Sequence, residues 1–241
     1  MTQNQVVLVT GAAKGIGRHI AGTFAQAGAR LAINDIEPLG DTTEELKKLG
    51  SEALAVTADV RDEDQVRAMM EQVNAHFGQI DVLVNNAGIV THFSWMPRWP
   101  RVRDMDKSFW DRVVDTNLGG TFLCTKHVLP YMERQRSGCI INLHGADDPK
   151  VMGVGACAYG VSKDAIRTFT VYVAEEEREF NIRVLILAPK AAIATEDTPA
   201  TIREELVGPD VLGNAFVLAA QAGAELTGKV VTFRDGKLVV V

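Results

Sequence analysis

Tyr159 and Lys163 stand four residues apart in Ala158-Tyr159-Gly160-Val161-Ser162-Lys163. On a helix that spacing puts a phenol and an ammonium on one face, one turn from each other. An ammonium beside a phenol favours the phenolate and lowers a pKa that is ordinarily about 10. Such a pair can pass a proton to and from an oxygen near neutral pH, as carbonyl–alcohol interconversion requires. Solvated helix faces carry the same pattern, so its meaning depends on the elements that position it.

Those elements alternate from end to end. Val6–Thr10, Arg30–Asp35, Ala53–Thr57, Ile80–Val84, Cys139–Leu143, Arg183–Leu187 and Lys229–Phe233 read as strands. Gly15–Ala27, Leu39–Leu49, Glu63–Phe77, Ala158–Phe180 and Val211–Ala222 carry helical periodicity, the first three closed by Gly28, Gly50 and Gly78. Ser108–Arg136 is helical as well, bent or broken near Gly119-Gly120 and Pro130. Apolar strands between amphipathic helices predict an α/β fold, a doubly wound parallel sheet covered on both faces. No linker-like stretch divides the chain, so residues 1–241 are expected to form one domain.

Composition narrows the function classes. The net charge of −6, from 25 basic against 31 acidic residues, argues against a nucleic-acid partner. Cys124, Cys139 and Cys157 have no CxxC spacing, and no metal site is expected; reduced thiols in the cytoplasm are the simple expectation. No apolar run approaches the length of about 18 residues that a membrane span needs. No signal-peptide pattern opens the sequence.

The first strand runs into Thr10-Gly11-Ala12-Ala13-Lys14-Gly15-Ile16-Gly17. Glycines there allow a tight turn and aim the N-terminus of the following helix at an anion, so pyrophosphate binding is expected. Asp35 ends the second strand, where a carboxylate accepts from ribose hydroxyls and repels a 2′-phosphate. NAD(H) is therefore expected over NADP(H), although Lys14 and Arg18 pull the other way. The alternative role for Asp35 is to cap the next turn.

Together these residues resemble the short-chain dehydrogenase/reductase family over essentially the whole chain. The motifs are Thr10–Gly17, Asn85-Asn86-Ala87-Gly88, Asn117 in Asp115-Thr116-Asn117-Leu118-Gly119, and Tyr159 with Lys163. The resemblance implies a Rossmann-like fold, a nicotinamide dinucleotide, and an oligomer, tetramer or dimer, built through Leu118–Arg136 and Ala158–Phe180. It implies that Asp59 and Val60 meet the adenine and that Asn86, Ala87 and Gly88 shape the central strand. Tyr159 would be the acid/base. Lys163 would hold the nicotinamide ribose and tune the tyrosine, and Asn117 would bend its helix and hold a water leading to Lys163. Pro189 would border the nicotinamide.

Three departures from the family pattern matter. The family's serine after the fifth strand is replaced by Gly145, counting from the strand, or by Ala146, counting back from Tyr159. Loss of one positioned oxyanion donor costs about 10²–10³-fold in turnover. His144 and Lys190 are the candidate substitutes, although the alternation of side chains along a strand can turn His144 away. Pro189-Lys190 replaces the family's Pro-Gly, and its carboxamide-binding threonine becomes Thr195 only with one inserted residue. Third, segment 91–103 is enlarged and holds Trp95, Trp99 and three arginines. It is either a loop packed on the surface or on a neighbouring subunit, or a lid that presents Trp95 to an anionic or flat small-molecule substrate. The leading expectation is an NAD(H)-dependent oxidoreductase acting on a secondary alcohol or ketone. The rivals are a dinucleotide-binding sensor or assembly protein with little turnover and, more remotely, elimination or epimerisation.

Overall fold

The computed structural model describes residues 4–89, 100–145, 154–189, 193–196, 198–204 and 206–241. Its sheet has the order β3-β2-β1-β4-β5-β6-β7-β8. The strands are β1 (Val6–Thr10), β2 (Arg30–Asp35), β3 (Ala53–Thr57), β4 (Val82–Asn85), β5 (Gly138–Leu143), β6 (Ile182–Leu187), β7 (Val230–Arg234) and β8 (Lys237–Val240). The first seven pair in parallel, and β8 returns antiparallel to β7. Strand order reverses between β1 and β4, which opens a crevice at their carboxyl ends, where such sheets bind ligands.

The longer helices among the described residues are α1 (Gly15–Gln26), α2 (Gly40–Lys48), α3 (Glu63–Phe77), α4 (Lys107–Val114), α5 (Gly120–Gln135), α6 (Cys157–Glu176) and α7 (Ala215–Gln221), with a single helical turn at Ala200–Arg203 before α7. Among the described residues none is long and apolar enough to cross a membrane. Because side chains alternate along a strand, β1 feeds two cores. Val7 and Val9 pack with Ile20 and Phe24 of α1 and Phe216 of α7. Val6 and Leu8 pack with Met69 and Val73 of α3 and Val128 and Met132 of α5. Each such side chain contributes about 1.5–3 kcal/mol on burial, so β1 is held from both faces.

A buried polar chain ties the middle strands to α6. Asn85 Nδ2 donates to Asn142 Oδ1 at 2.8 Å, and Asn142 Nδ2 donates to Thr170 Oγ1 at 2.8 Å. With its partners in place, such a chain fixes the alignment of β4, β5 and α6.

Several expectations are corrected. The helical stretch 108–136 is interrupted beside Gly119-Gly120, as expected, by a π-helical turn over Asp115–Gly119, but α5 runs through Pro130 without a break. The long helix expected to reach Phe180 ends at Glu176, before a 3₁₀ turn over Arg178–Phe180. The expected helix 211–222 is α7 preceded by a 3₁₀ turn, Pro209–Leu212. Strand β8 was not anticipated. Asp235 and Gly236, at φ +50° and +75°, form the two-residue turn that Asp-Gly favours between antiparallel strands.

Candidate active site

The glycine turn is held by the end of β4. Asn86 Nδ2 donates to the carbonyls of Thr10 (2.8 Å) and Gly11 (2.9 Å), and Thr10 Oγ1 accepts from the N–H groups of Asn86 and Ala87, both at 3.1 Å. A β carbon on Gly11 would lie 2.7 Å from Ala87 Cα, and one on Gly17 would overlap the Gly11 carbonyl. The glycines are there because backbone meets backbone. Ile16 packs at the edge of the α1 core.

The N-terminus of α1 has no acidic residue in its own first turn. The N–H of Gly15 donates instead to Glu196 Oε2 at 2.8 Å, across 181 residues of sequence. The backbone around Glu196 is tied down: Ala194 N–H donates to Val207 O at 2.7 Å, and Arg203 donates to the carbonyls of Glu196 (3.0 Å) and Thr198 (2.8 Å). Thr195 packs beside Gly15. A carboxylate oxygen thus occupies an N–H at the start of α1, so this helix end has the chemistry to hold an anion such as a phosphate.

At the end of β2, Asp35 takes the alternative role of capping the next turn. Its carboxylate accepts from Ala13 N–H at 2.9 Å and from Glu37 N–H at 3.1 Å. A carboxylate has about four acceptor positions, so these bonds leave capacity for a ribose. The cations set against Asp35 are engaged by acids: Lys14 pairs with Glu37 at 3.1 Å and Arg18 with Glu45 at 2.7 Å. Asp59 clasps Arg61 at 2.5 Å, which pulls its carboxyl below the ordinary value. Val60 is buried against Gly120 at the start of α5.

Around Tyr159 the π turn and α6 meet. The π turn swings Asn117 inward, where it is fully buried. Its Oδ1 accepts from Ile89 N–H at 2.7 Å, and its Nδ2 lies 3.2 Å from Ile89 O and 3.0 Å from Ser162 Oγ. Ser162 in turn donates to the carbonyl of Tyr159 at 2.7 Å. Asn117 therefore clamps the exit of β4 to the first turns of α6. Gly88 lies against the same amide.

Lys163 is buried and donates to Leu143 O at 2.9 Å, with its Nζ 5.8 Å from the Tyr159 ring centroid. Burial pushes its ammonium down to about 8. Tyr159 is 4% exposed, and burial pushes its phenol above the ordinary 10. The expected lowering of the tyrosine by the lysine is thus reversed, because desolvation dominates both groups.

This predicts a pH signature. Lys163 titrates lower in the folded chain, about 8, than its ordinary 10.5, so unfolding takes up a proton between those values and stability rises with pH there. Tyr159 has the opposite sign: stability falls from pH 10 upward, as the unfolded phenol ionises first. Urea midpoints should therefore increase from about pH 8 to 10, and Lys163→Met should flatten that rise. An equal rise in the variant would assign it elsewhere.

Gly145, two residues past the end of β5, meets the phenol: a β carbon on it would overlap Tyr159 Oη. His144 is buried, its Nδ1 2.6 Å from Gly145 O and its N–H bonded to Leu187 O at 3.0 Å. Pro189 follows β6 at the same sheet edge. Trp95, Ala146 and Lys190 lie outside the described residues, as does segment 91–103 up to Trp99. Beyond it Arg103 pairs with Asp104 at 3.2 Å. Two contributors were not singled out from sequence. Ser162, three residues after Tyr159, was open to a helical-spacing argument; Glu196 had no signal beyond its place beside Thr195.

The family model described as short chain dehydrogenase matches residues 5–205. The chain is 33% identical, over 98% of its length and 99% of the relative's, to 3-oxoacyl-[acyl-carrier-protein] reductase FabG of Staphylococcus aureus. It is also 33% identical to cis-4-hydroxycyclohexanecarboxylate dehydrogenase of Sinomonas cyclohexanicum, covering 98% of this chain and 94% of that one. A crystal structure of a short-chain type dehydrogenase/reductase from Mycobacterium marinum superposes with a TM-score of 0.83 at 28% identity, covering 96% of this chain and 94% of that one.

Proposed function

The chain belongs to the short-chain dehydrogenase/reductase family, an oxidoreductase family that binds nicotinamide dinucleotides, and on that premise we propose that it interconverts a secondary alcohol and a ketone with NAD(H). The observation that carries the proposal is Tyr159 and Lys163 at the carboxyl end of β5, in the crevice that also holds the glycine turn. When bound, the nicotinamide supplies or accepts the hydride. Tyr159 moves the proton at the substrate oxygen. Lys163, fixed on Leu143 O, presents its charge beneath the ring. Asn117 and Ser162 pin the turn of α6 that carries the tyrosine.

The preference for NAD(H) rests on charge. Asp35, Glu37 and Glu45 gather at the ribose end, and the nearby cations Lys14 and Arg18 are already paired. A 2′-phosphate would meet that acidic group, and like charges brought together cost several kcal/mol. NADH is expected to bind at least about ten-fold tighter than NADPH, and Asp35→Asn to narrow the gap. Tighter binding of NADPH to the native protein would refute the preference.

Dinucleotide binding without turnover is the second reading, favoured by the glycine at position 145 and by the depth of Tyr159. An absorbance assay over a panel of alcohols and ketones decides between them: NADH binding with no turnover supports the second. Homo-oligomerisation through α5 and α6 belongs to the same proposal, since Phe122, Val161 and Tyr172 are exposed there.

A further inference from the structure

We propose that Gly145 is a positioning residue for Tyr159: the missing β carbon leaves a slot at the end of β5 that seats the phenol hydroxyl, and any side chain at 145 expels it. A β carbon there would overlap Oη and lie 2.7 Å from Cζ and 2.9 Å from Cε1. Gly145 is not among the residues with positive φ, so φ at this position does not require a glycine, and the atoms nearest an added β carbon are those of the tyrosine.

Both backbones are tied close to the contact. Residues 143–144 are fixed by Lys163 Nζ on Leu143 O at 2.9 Å and by the 3.0 Å bond from His144 N–H to Leu187 O. The Tyr159 carbonyl is held by Ser162, which Asn117 holds in turn. An added methyl group therefore has to be accommodated by the tyrosine side chain. The hydroxyl of Tyr159 stands in the volume that a side chain at 145 would fill, so the chain has one seated hydroxyl rather than two facing each other. The consequence for turnover rests on the proposed role of Tyr159 as proton donor. The slot itself does not.

The test is a double-mutant cycle read by thermal unfolding, together with nitration of Tyr159 by tetranitromethane mapped to its peptide. Gly145→Ala should lower the unfolding midpoint. Tyr159→Phe, which removes the overlapping oxygen, should relieve much of that loss, giving a non-additive cycle. Nitration of Tyr159 should rise at least about ten-fold in Gly145→Ala, with the circular dichroism spectrum unchanged. An additive cycle with Tyr159 equally protected in both proteins overturns the proposal. Should Gly145→Ala not fold, Gly145→Ala/Tyr159→Ala provides the check: recovery of the fold supports the slot, and failure to recover overturns it. Each readout is made without substrate, so a protein that turns over nothing still tests the slot.

Discussion

Tyr159→Phe is expected to lower turnover by about 10²–10⁴-fold and to leave dinucleotide affinity within about two-fold. Phenylalanine keeps the ring that packs with Val113, Ala156 and Ala158, so the fold of this corner is retained. What goes is the phenol oxygen that lies against Gly145. Lys163 stays on Leu143 O, and the glycine turn more distant along the sheet edge is untouched. The measurement is steady-state turnover beside NADH titration of the same preparation. Undiminished turnover would remove Tyr159 from the mechanism.

Gly17→Ala should have the opposite profile, losing dinucleotide binding and stability together. A β carbon at 17 would overlap the Gly11 carbonyl and lie 2.5 Å from Asn86 Nδ2 and 2.8 Å from Gly11 C. Two of those three atoms are backbone, and Asn86 is itself tied to Thr10 and Gly11. Overpacking of this kind costs about 1–3 kcal/mol. Opening the turn to relieve it would also pull the N-terminus of α1 out of alignment. Gly160→Ala is the control: nothing lies within 4 Å of a β carbon in that helical position. It should be neutral or stabilising by up to about 1 kcal/mol. Denaturant midpoints and NADH titration of both variants check this; equal losses would refute it.

The alternation of strands and helices was readable in the sequence because each central strand is a mostly apolar run. The burial of every residue of β1 and β5 is the structural counterpart of that pattern. Boundaries were harder where local signals compete. Gly119-Gly120 announced a bend, but the π turn that delivers it is set by Asn117 reaching Ile89 and Ser162, contacts between distant segments. Strand β8 was missed because its residues, mostly exposed, offer no alternation of apolar and polar groups. The Asp-Gly turn was the available clue.

The site was legible as a set of residue types and not as an environment. Spacing brought Tyr159 and Lys163 together, yet it could not tell that both are buried deeply enough for desolvation to reverse the expected shift in the tyrosine. Counting residues could not show that a β carbon at 145 would meet the phenol, which is a matter of how the chain leaves β5. Lys14 and Arg18 looked like free cations because Glu37 and Glu45 lie on other elements.

The carboxylate of Glu196 on the N–H of Gly15 has a thermodynamic corollary. For a pyrophosphate that docks on α1, binding is an exchange of one anion for another rather than the filling of a gap. The incumbent is tethered, so it competes at an effective concentration on the order of millimolar whatever the bulk conditions. Measured affinity is then the difference between two contacts and understates the strength of the new one. Release of the dinucleotide is likewise a displacement, with the chain's own acid ready to take back the helix end.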